Sequence, residues 1–318
     1  MEKIKVVFLG TPEIAVSALI SLLESKEIEV VAVVTGIDKP IGRNQSLLFE
    51  TPVAKKANEY NLNLIKTSSI NKDITLLNKL DFDYLLTCAF GQFLSPAVLA
   101  LPSKKALNIH GSLLPEGRGG APIHWAIIKG KEITGISFME MVDEMDAGDY
   151  YLQVSIHIDE KETYDSLYLK MSIIIEKKAA NWLKTVDEGK KAQKQNPEKV
   201  TKWLNIKKED AKIDFTKSRE EVYNQIRGLD SKPGGWASIG GLIIKINKAK
   251  LFPPVQAVPM IYAFPGIILE VTRRGLLVAT GTMPILIEEI TIPGKKRNHI
   301  KNLLQGNFII ERGTKFNE

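Results

Sequence analysis

Four short apolar segments in the first 110 residues constrain the fold of this chain most strongly. They are IKVVFLG (4–10), EVVAVVT (29–35), DYLLTCAF (83–90) and KALNIH (105–110), and segments with helical patterning lie between them. Nearly continuous apolar runs are typical of strands that are buried on both faces, as in parallel sheets. Strands that alternate with helices form βαβ units. We therefore predict an α/β fold with a doubly wound, Rossmann-like parallel sheet.

The remainder of the chain has a different pattern. Two alternating segments flank residues 143–148, and a long helix is predicted over residues 163–187. Residues 189–203 are polar without hydrophobic periodicity, so we predict a linker that follows a catalytic domain of residues 1–188. Short β-rich runs at regular spacing then favour a small C-terminal β-barrel, OB-like in type, over residues 204–318.

The net charge of +6 is concentrated in the predicted barrel. Residues 204–318 contain 18 Lys and Arg against 11 Asp and Glu, a balance of +7, whereas the balance of residues 1–203 is −1. A basic module beside a near-neutral one suggests a polyanionic partner such as a nucleic acid. A requirement for solubility alone would also account for this charge.

Several classes of site are excluded by the sequence. The segment FLGTPEIA has one Gly where a dinucleotide fingerprint has three, and no Walker-A pattern or Gly-x-Ser-x-Gly elbow occurs. Cys88 is the single cysteine, so no intrachain disulfide forms. Four His without an HExxH motif indicate no catalytic metal. The sequence shows no signal peptide or membrane span, and we expect a cytoplasmic location.

The candidate chemistry lies in NIHGSLLPEGRGGAPIHW, residues 108–125. Asn108 and His110 are two residues apart at the end of a predicted strand, so their side chains share one face at the carboxyl edge of the sheet. An Asn amide can donate to a developing oxyanion, and His can move a proton near neutral pH. Asp146, in the downstream loop EMDAGDY, is a carboxylate that could orient the imidazole. Taken alone, these residues fit equally well an Asn and a His that only bond loop backbone.

These residue types, without a nucleophile or a metal, suit direct attack of an amine on a carbonyl. The run NIHGSLLP, followed by MDAGD, resembles the folate-dependent formyltransferase family. The resemblance extends over almost the whole chain through FLGTPEIAVSAL, DKPIGR, ETPVAKKA, KKEDAKIDF, LEVTRRGLLVAT and PGKKR. It implies 10-formyltetrahydrofolate as the formyl donor and the amino group of initiator methionyl-tRNA as the acceptor. It also implies that Asn108, His110 and Asp146 are the catalytic residues.

The resemblance further implies the residues that bind the two substrates. The folate is expected to contact three segments, namely Phe90, Gly91, Gln92, Phe93 and Leu94; Ser112, Leu113, Leu114 and Pro115; and Val142, Asp143 and Glu144. The tRNA is expected to contact Arg43, in an insertion loop of residues 36–49, and three residues of the barrel, Lys295, Lys296 and Arg297.

Two positions depart from the family pattern. The insertion loop lacks the lysines that usually follow its Gly-Arg and keeps only Arg43. In the segment of residues 108–125, which we call the site loop, Glu116 and Gly117 precede Arg118. The family has a basic residue and an aromatic one at these two positions. Neither departure changes the three predicted catalytic residues.

Other functions remain open at this point. A sugar-nucleotide amine formyltransferase or a formyl-folate hydrolase module would share Asn108, His110 and Asp146, and Gly111 brings NIHGSLLP somewhat closer to the sugar-nucleotide branch. The segments GTPEIA and DKPIGR and the basic barrel favour the tRNA substrate. A non-catalytic RNA-binding protein is disfavoured because the catalytic set is intact. No membrane association and no obligate protein partner are predicted.

Overall fold

The computed structural model of the protein describes residues 2–41, 47–251, 264–305 and 310–317. The chain divides into two compact units. Unit 1 comprises Met1–Pro122, Thr134–His157 and Tyr168–Leu204; unit 2 comprises Ile123–Ile133, Ile158–Leu167 and Asn205–Glu318. Two short segments that we placed in the N-terminal domain, residues 123–133 and 158–167, therefore belong to unit 2.

A seven-stranded sheet forms the centre of unit 1, in the order β5-β2-β1-β6-β7-β8-β9. Its strands are β1 (Ile4–Gly10), β2 (Ile28–Thr35), β5 (Leu64–Lys66), β6 (Tyr84–Cys88), β7 (Lys105–His110), β8 (Ile133–Glu140) and β9 (Tyr150–His157). The strands β3 (Lys39–Ile41) and β4 (Leu47–Phe49) form a separate pair. The first five strands of the large sheet pair in parallel, and β8 is antiparallel to β7.

Helices lie between the strands of the N-terminal parallel sheet as predicted, and further helices lie in the rest of the chain. The helices are α1 (Glu13–Glu24), α2 (Pro52–Glu59), α3 (Pro96–Leu99), α4 (Pro122–Ile128), α5 (Tyr164–Asp187), α6 (Arg219–Leu229) and α7 (Ile300–Leu303). In β1, Val6 to Leu9 are fully buried, as expected for a strand covered on both faces. The predicted α/β class with a Rossmann-like sheet is confirmed. None of the helices that the structure describes is long and apolar enough to cross a bilayer.

The segment that we predicted as a linker, residues 189–203, belongs to unit 1. Gln193 and Tyr150 exchange both backbone hydrogen bonds, at 2.8 and 3.0 Å, and Trp203 is 2% exposed. Apart from a single 3₁₀ turn at Pro197–Lys199, the segment bonds to other parts of the chain rather than to itself. Such a segment has no periodicity that a sequence pattern could reveal.

Unit 2 is built on an antiparallel sheet in the order β10-β11-β14-β13-β12, with β15 paired to β14. The strands are β10 (Gly235–Ile239), β11 (Leu242–Leu251), β12 (Ile268–Thr272), β13 (Gly275–Val278), β14 (Ile285–Thr291) and β15 (Asn298–His299). The C-terminal segment bonds both edges of this path: Asn317 N donates to Ser238 O, and Ile268 N donates to Thr314 O. The sheet is thereby closed in the manner predicted for a small barrel, around a core of buried hydrophobic residues.

Candidate active site

Asn108 and His110 lie at the carboxyl end of β7, on the same face of the strand. Thr87 of β6 is opposite Asn108 in the parallel register, and its Oγ1 donates to Asn108 Oδ1 at 2.7 Å. This bond uses the acceptor end of the amide and directs Nδ2 away from Thr87. The amide N–H groups are the part of Asn108 that can donate to an oxyanion.

His110 is buried, with 6% of its surface exposed. Its Nε2 lies 2.9 Å from Gly117 O, which can only accept a hydrogen bond, so Nε2 carries a proton. Its Nδ1 lies 3.6 Å from Asp146 Oδ1. When the ring is neutral, Nδ1 is therefore the basic nitrogen, and a proton taken there lies beside a carboxylate.

Asp146 reaches His110 from the loop between β8 and β9. Its backbone is in the left-handed region, with φ of +54°, where Asp is tolerated better than most side chains. Its Oδ2 accepts a hydrogen bond from Gly119 N at 2.8 Å. The structure thus brings together the imidazole and the carboxylate that we predicted to be paired. Asn108 lies two residues before His110 in β7.

The loop after β7 is supported from β8 and β9 by residues that sequence reasoning missed. Ser137 Oγ donates to Ser112 O at 2.6 Å and accepts from Leu114 N at 3.0 Å. Gln153 Nε2 donates to Leu114 O at 2.8 Å. In strands whose sequence alternates between apolar and polar residues, polar side chains are expected to face solvent. Here Ser137 and Gln153 instead bond the backbone of the site loop.

The segment before residue 204 also supports the site loop. Thr201 Oγ1 accepts from Gly117 N at 2.9 Å, and Trp203 N donates to Arg118 O at 2.7 Å. Gly117 has φ of +77°, and a Cβ at this position would lie 2.4 Å from Trp203 Cε3. The indole of Trp203 therefore takes the space that a side chain at position 117 would need.

The residues predicted to bind the folate are distributed over three loops. Residues 90–94 follow β6 and residues 112–115 follow β7, and these parallel strands end at the same edge of the sheet. Residues 142–144 follow β8 and precede Asp146. Phe90, Leu94, Ser112 and Leu114 are buried, whereas Phe93 and Val142 are 55% and 44% exposed. The intermediate and remaining exposed positions are Gly91, Gln92, Leu113, Pro115, Asp143 and Glu144.

The side-chain amide of Gln92 has a structural role in the loop after β6. Its Oε1 accepts from Ile70 N at 2.8 Å, and its Nε2 donates to Thr67 O at 3.1 Å. These bonds fix the loop, so Gln92 can contribute to a ligand site through its backbone. The exposed apolar side chains of Phe93 and Val142 are the surfaces that an aromatic ligand could cover.

The residues predicted to bind tRNA have three different settings. Arg43 lies outside the described residues. Lys295 and Lys296 are exposed on the turn between β14 and β15. Arg297 is held by two carboxylates, since its Nη1 lies 2.7 Å from Asp230 Oδ1 and its Nε lies 2.6 Å from Glu289 Oε2.

Unit 2 also has a concave surface with a volume of about 490 Å³. Basic side chains line much of it, namely Lys250, Arg273, Arg274 and Lys301, together with His299. Glu288 lies among them, 2.6 Å from Lys250 Nζ. This surface is part of the unit that carries most of the net positive charge of the chain.

In the parts of the chain that the structure describes, no cluster of three or more His, Cys, Asp or Glu side chains could hold a metal ion. The candidate site offers an amide, an imidazole and a carboxylate. Such a set can donate to an oxyanion and transfer protons.

Comparison with known proteins identifies the family. Residues 3–183 match the formyl transferase model, and residues 205–307 match the model of the formyl transferase C-terminal domain. A relative from Malacoplasma penetrans (strain HF-2), named methionyl-tRNA formyltransferase, is 41% identical over 311 residues, which cover 98% of this chain and 96% of the relative.

Solved structures show the same fold at lower identity. The methionyl-tRNA formyltransferase from Clostridium thermocellum has a TM-score of 0.55 and 20% identity, over 78% of this chain and 94% of its own. WlaRD, a sugar 3N-formyl transferase solved in the presence of dTDP and 5-N-formyl-THF, has a TM-score of 0.65 and 19% identity, over 93% of this chain and 100% of its own. On the family models and the identity over nearly its whole length, this chain belongs to the formyl transferase family.

Proposed function

We propose that this protein transfers the formyl group of 10-formyltetrahydrofolate to the amino group of initiator methionyl-tRNA. The observation that carries the proposal is the His110–Asp146 pair beside Asn108, in a chain 41% identical over 98% of its length to a methionyl-tRNA formyltransferase. An amide, an imidazole and a carboxylate suit direct amine attack on a formyl carbon, because they can donate to an oxyanion and transfer protons.

In the proposed reaction, the methionyl amine attacks the formyl carbon and a new C–N bond forms. The carbonyl oxygen becomes an oxyanion, which accepts a hydrogen bond from Asn108 Nδ2. The attacking nitrogen then loses a proton, the bond from the formyl carbon to N10 breaks, and N10 of the departing tetrahydrofolate gains a proton. Groups placed to stabilise charge that exists only in the transition state accelerate the reaction most.

His110 is proposed to carry the proton between the two nitrogens. Its Nδ1 is the basic nitrogen of the neutral ring, because Nε2 is bonded to Gly117 O. Asp146 Oδ1, 3.6 Å away, stabilises the imidazolium while it exists. The pair is longer than a hydrogen bond here, and catalytic contacts of this kind commonly tighten when substrate binds.

The formyl donor is proposed to bind among residues 90–94, 112–115 and 142–144. In this interpretation, Phe93 and Val142 are the apolar side chains that the folate covers, and backbone groups of the two loops after β6 and β7 bond its polar edges. Donor and reacting groups then meet at the carboxyl edge of the sheet, where open α/β folds bind ligands.

The acceptor tRNA is proposed to use the basic side chains of unit 2, with the predicted barrel of residues 204–318 as the tRNA-binding part of the chain. Lys295 and Lys296 are exposed and can neutralise phosphates, as can Arg273, Arg274 and Lys301 on the concave surface. We assign Arg297 to ordering the turn, because Asp230 and Glu289 already pair with it. Arg43 is proposed to guide the reacting end of the tRNA, and the cytoplasm is the proposed location.

An acceptor competition tests the proposed function. The full chain is incubated with formyl-labelled donor and with methionyl-tRNA, a nucleotide-linked amino sugar, or buffer alone. We expect label in formylmethionyl-tRNA at a rate far above the other two arms. Preferential labelling of the sugar would contradict the proposal and identify an amino sugar as the acceptor. Release of free formate in buffer alone, as fast as methionyl-tRNA is labelled, would identify a hydrolase.

A further inference from the structure

We infer that Gln195 is a positioning residue for Asp146. Gln195 lies in the segment without periodicity, residues 189–203, and is half-buried. Its Nε2 donates to Asp146 O and to Gly148 O, both at 2.7 Å. The side-chain amide therefore joins two carbonyls that lie on either side of Ala147, directly after the Asp146 Cα.

The two bonds act on a backbone that is otherwise unfavourable. Asp146 has φ of +54°, a conformation that costs free energy for a residue with a side chain, although Asp tolerates it better than most. Gln195 donates both of its N–H groups to the carbonyl oxygens of Asp146 and Gly148, which fixes the chain directly after this residue. The direction of the Asp146 carboxylate follows from the turn, and so does its 3.6 Å separation from His110 Nδ1.

Gln195 is itself held from the site loop. Its Oε1 accepts from Arg118 Nε at 3.0 Å, and Arg118 Nη1 lies 3.3 Å from Glu144 Oε1. Two hydrogen bonds between the backbones of Gln193 and Tyr150 hold the chain two residues before Gln195. The loop after β7, residues 189–203 and the loop of Asp146 are thus joined through one amide, alongside the direct bond from Gly119 N to Asp146 Oδ2.

This inference rests on the proposed function, because it assigns Gln195 an effect on a reaction in which Asp146 takes part. A double-mutant cycle separates that effect from a general loss of structure. Gln195→Ala is expected to lower the single-turnover rate of formyl transfer about 10- to 100-fold, as a displacement of about 1 Å at a reacting group does. In an Asp146→Asn background the same change is expected to cost less than about 3-fold, because the group that Gln195 positions has already been removed.

Gln195→Glu is a second variant that separates loss of the two hydrogen bonds from misfolding of Gln195→Ala. It keeps the length of the side chain and the acceptor for Arg118, but it replaces the donor of both carbonyl bonds with an oxygen. We expect it to follow Gln195→Ala in the cycle, whereas Lys194→Ala, an exposed neighbour, should keep the full rate. An equal loss in both backgrounds would overturn the inference, as would full activity of Gln195→Ala.

Hydrogen exchange gives a second readout that does not depend on activity. In Gln195→Ala and Gln195→Glu, the amide of Ala147, which donates to Glu144 O within residues 143–148, should exchange at least about 10-fold faster than in the unmodified chain, while amides of β7 and of unit 2 are unchanged. Unchanged exchange at Ala147 would overturn the inference even if the reaction were slow. If the unmodified chain transferred no formyl group, the proposed function would fail, and this readout would still decide whether Gln195 holds the loop.

Discussion

Gly117 and Trp203 should be energetically coupled, because the indole fills the space of a side chain at position 117. A Cβ at Gly117 would lie 2.4 Å from Trp203 Cε3 and 2.7 Å from Cζ3. Gly117→Ala should therefore lower the free energy of unfolding through two effects. An L residue at φ of +77° costs about 1–2 kcal/mol, and overpacking against Trp203 costs about 1–3 kcal/mol. Trp203→Ala, at a position 2% exposed, should cost about 3–5 kcal/mol through the cavity that it leaves.

The double variant has no overlap between the two side chains. The double variant should therefore lose less free energy of unfolding than the two single losses added together, by about 1–3 kcal/mol. The assay is urea unfolding of the full chain, followed by circular dichroism, for the unmodified protein, both single variants and the double variant.

Gly189→Ala is the matched control for this cycle. Gly189 also has a positive φ, +96°, but no atom lies within 4 Å of its Cβ position, so the change introduces strain without overlap. Its effect should add to that of Trp203→Ala. If the effects of Gly117→Ala and Trp203→Ala also added, to within about 0.5 kcal/mol, Trp203 would not be the residue that takes this space.

Three further predictions concern the basic turn and the cysteine. Replacing Lys295 and Lys296 with Ala should weaken tRNA binding and reduce the slope of log affinity against log salt by about 0.7–0.9 for each phosphate lost, and a filter-binding titration at several salt concentrations measures this; an unchanged slope would show that the turn contacts no phosphate. Arg297→Ala should instead lower the free energy of unfolding by about 1–3 kcal/mol, because it leaves Asp230 unpaired with 7% of its surface exposed; a thermal melt with unchanged midpoint would contradict this assignment. Burial raises the pKa of the Cys88 thiol to about 12, so its thiolate fraction at pH 8 is on the order of 10⁻⁴. The native protein should then resist alkylation by iodoacetamide that the urea-unfolded protein accepts, and fast native labelling would contradict the burial.

The sequence predicted those elements whose burial leaves a pattern along the chain. The structure places β1 at Ile4–Gly10 and β7 at Lys105–His110, the bounds that the apolar runs gave, because both strands are covered on both faces. The common face of Asn108 and His110 followed from a spacing of two residues at a strand end.

Contacts that depend on loop geometry could not be predicted in this way. The approach of Asp146 to His110 depends on a left-handed turn, and a Gly-containing loop is the only sign of it along the sequence. Gln195, Thr201 and Trp203 lie in a segment without periodicity, and their bonds join it to residues about 50 to 85 positions earlier in the chain, as the bonds to Asp146 and Gly117 show. Contacts between residues so far apart leave no pattern in the local sequence, which is why the sequence predicted a linker here.

The central claim is that Asn108 stabilises the oxyanion of formyl transfer to methionyl-tRNA. The most direct test is the single-turnover rate of Asn108→Ala with saturating 10-formyltetrahydrofolate and methionyl-tRNA, beside its affinity for the folate. We predict a rate about 10²–10³-fold below that of the unmodified chain, with folate affinity changed by less than about 3-fold, since the amide acts in the transition state. A rate close to that of the unmodified chain would contradict the account.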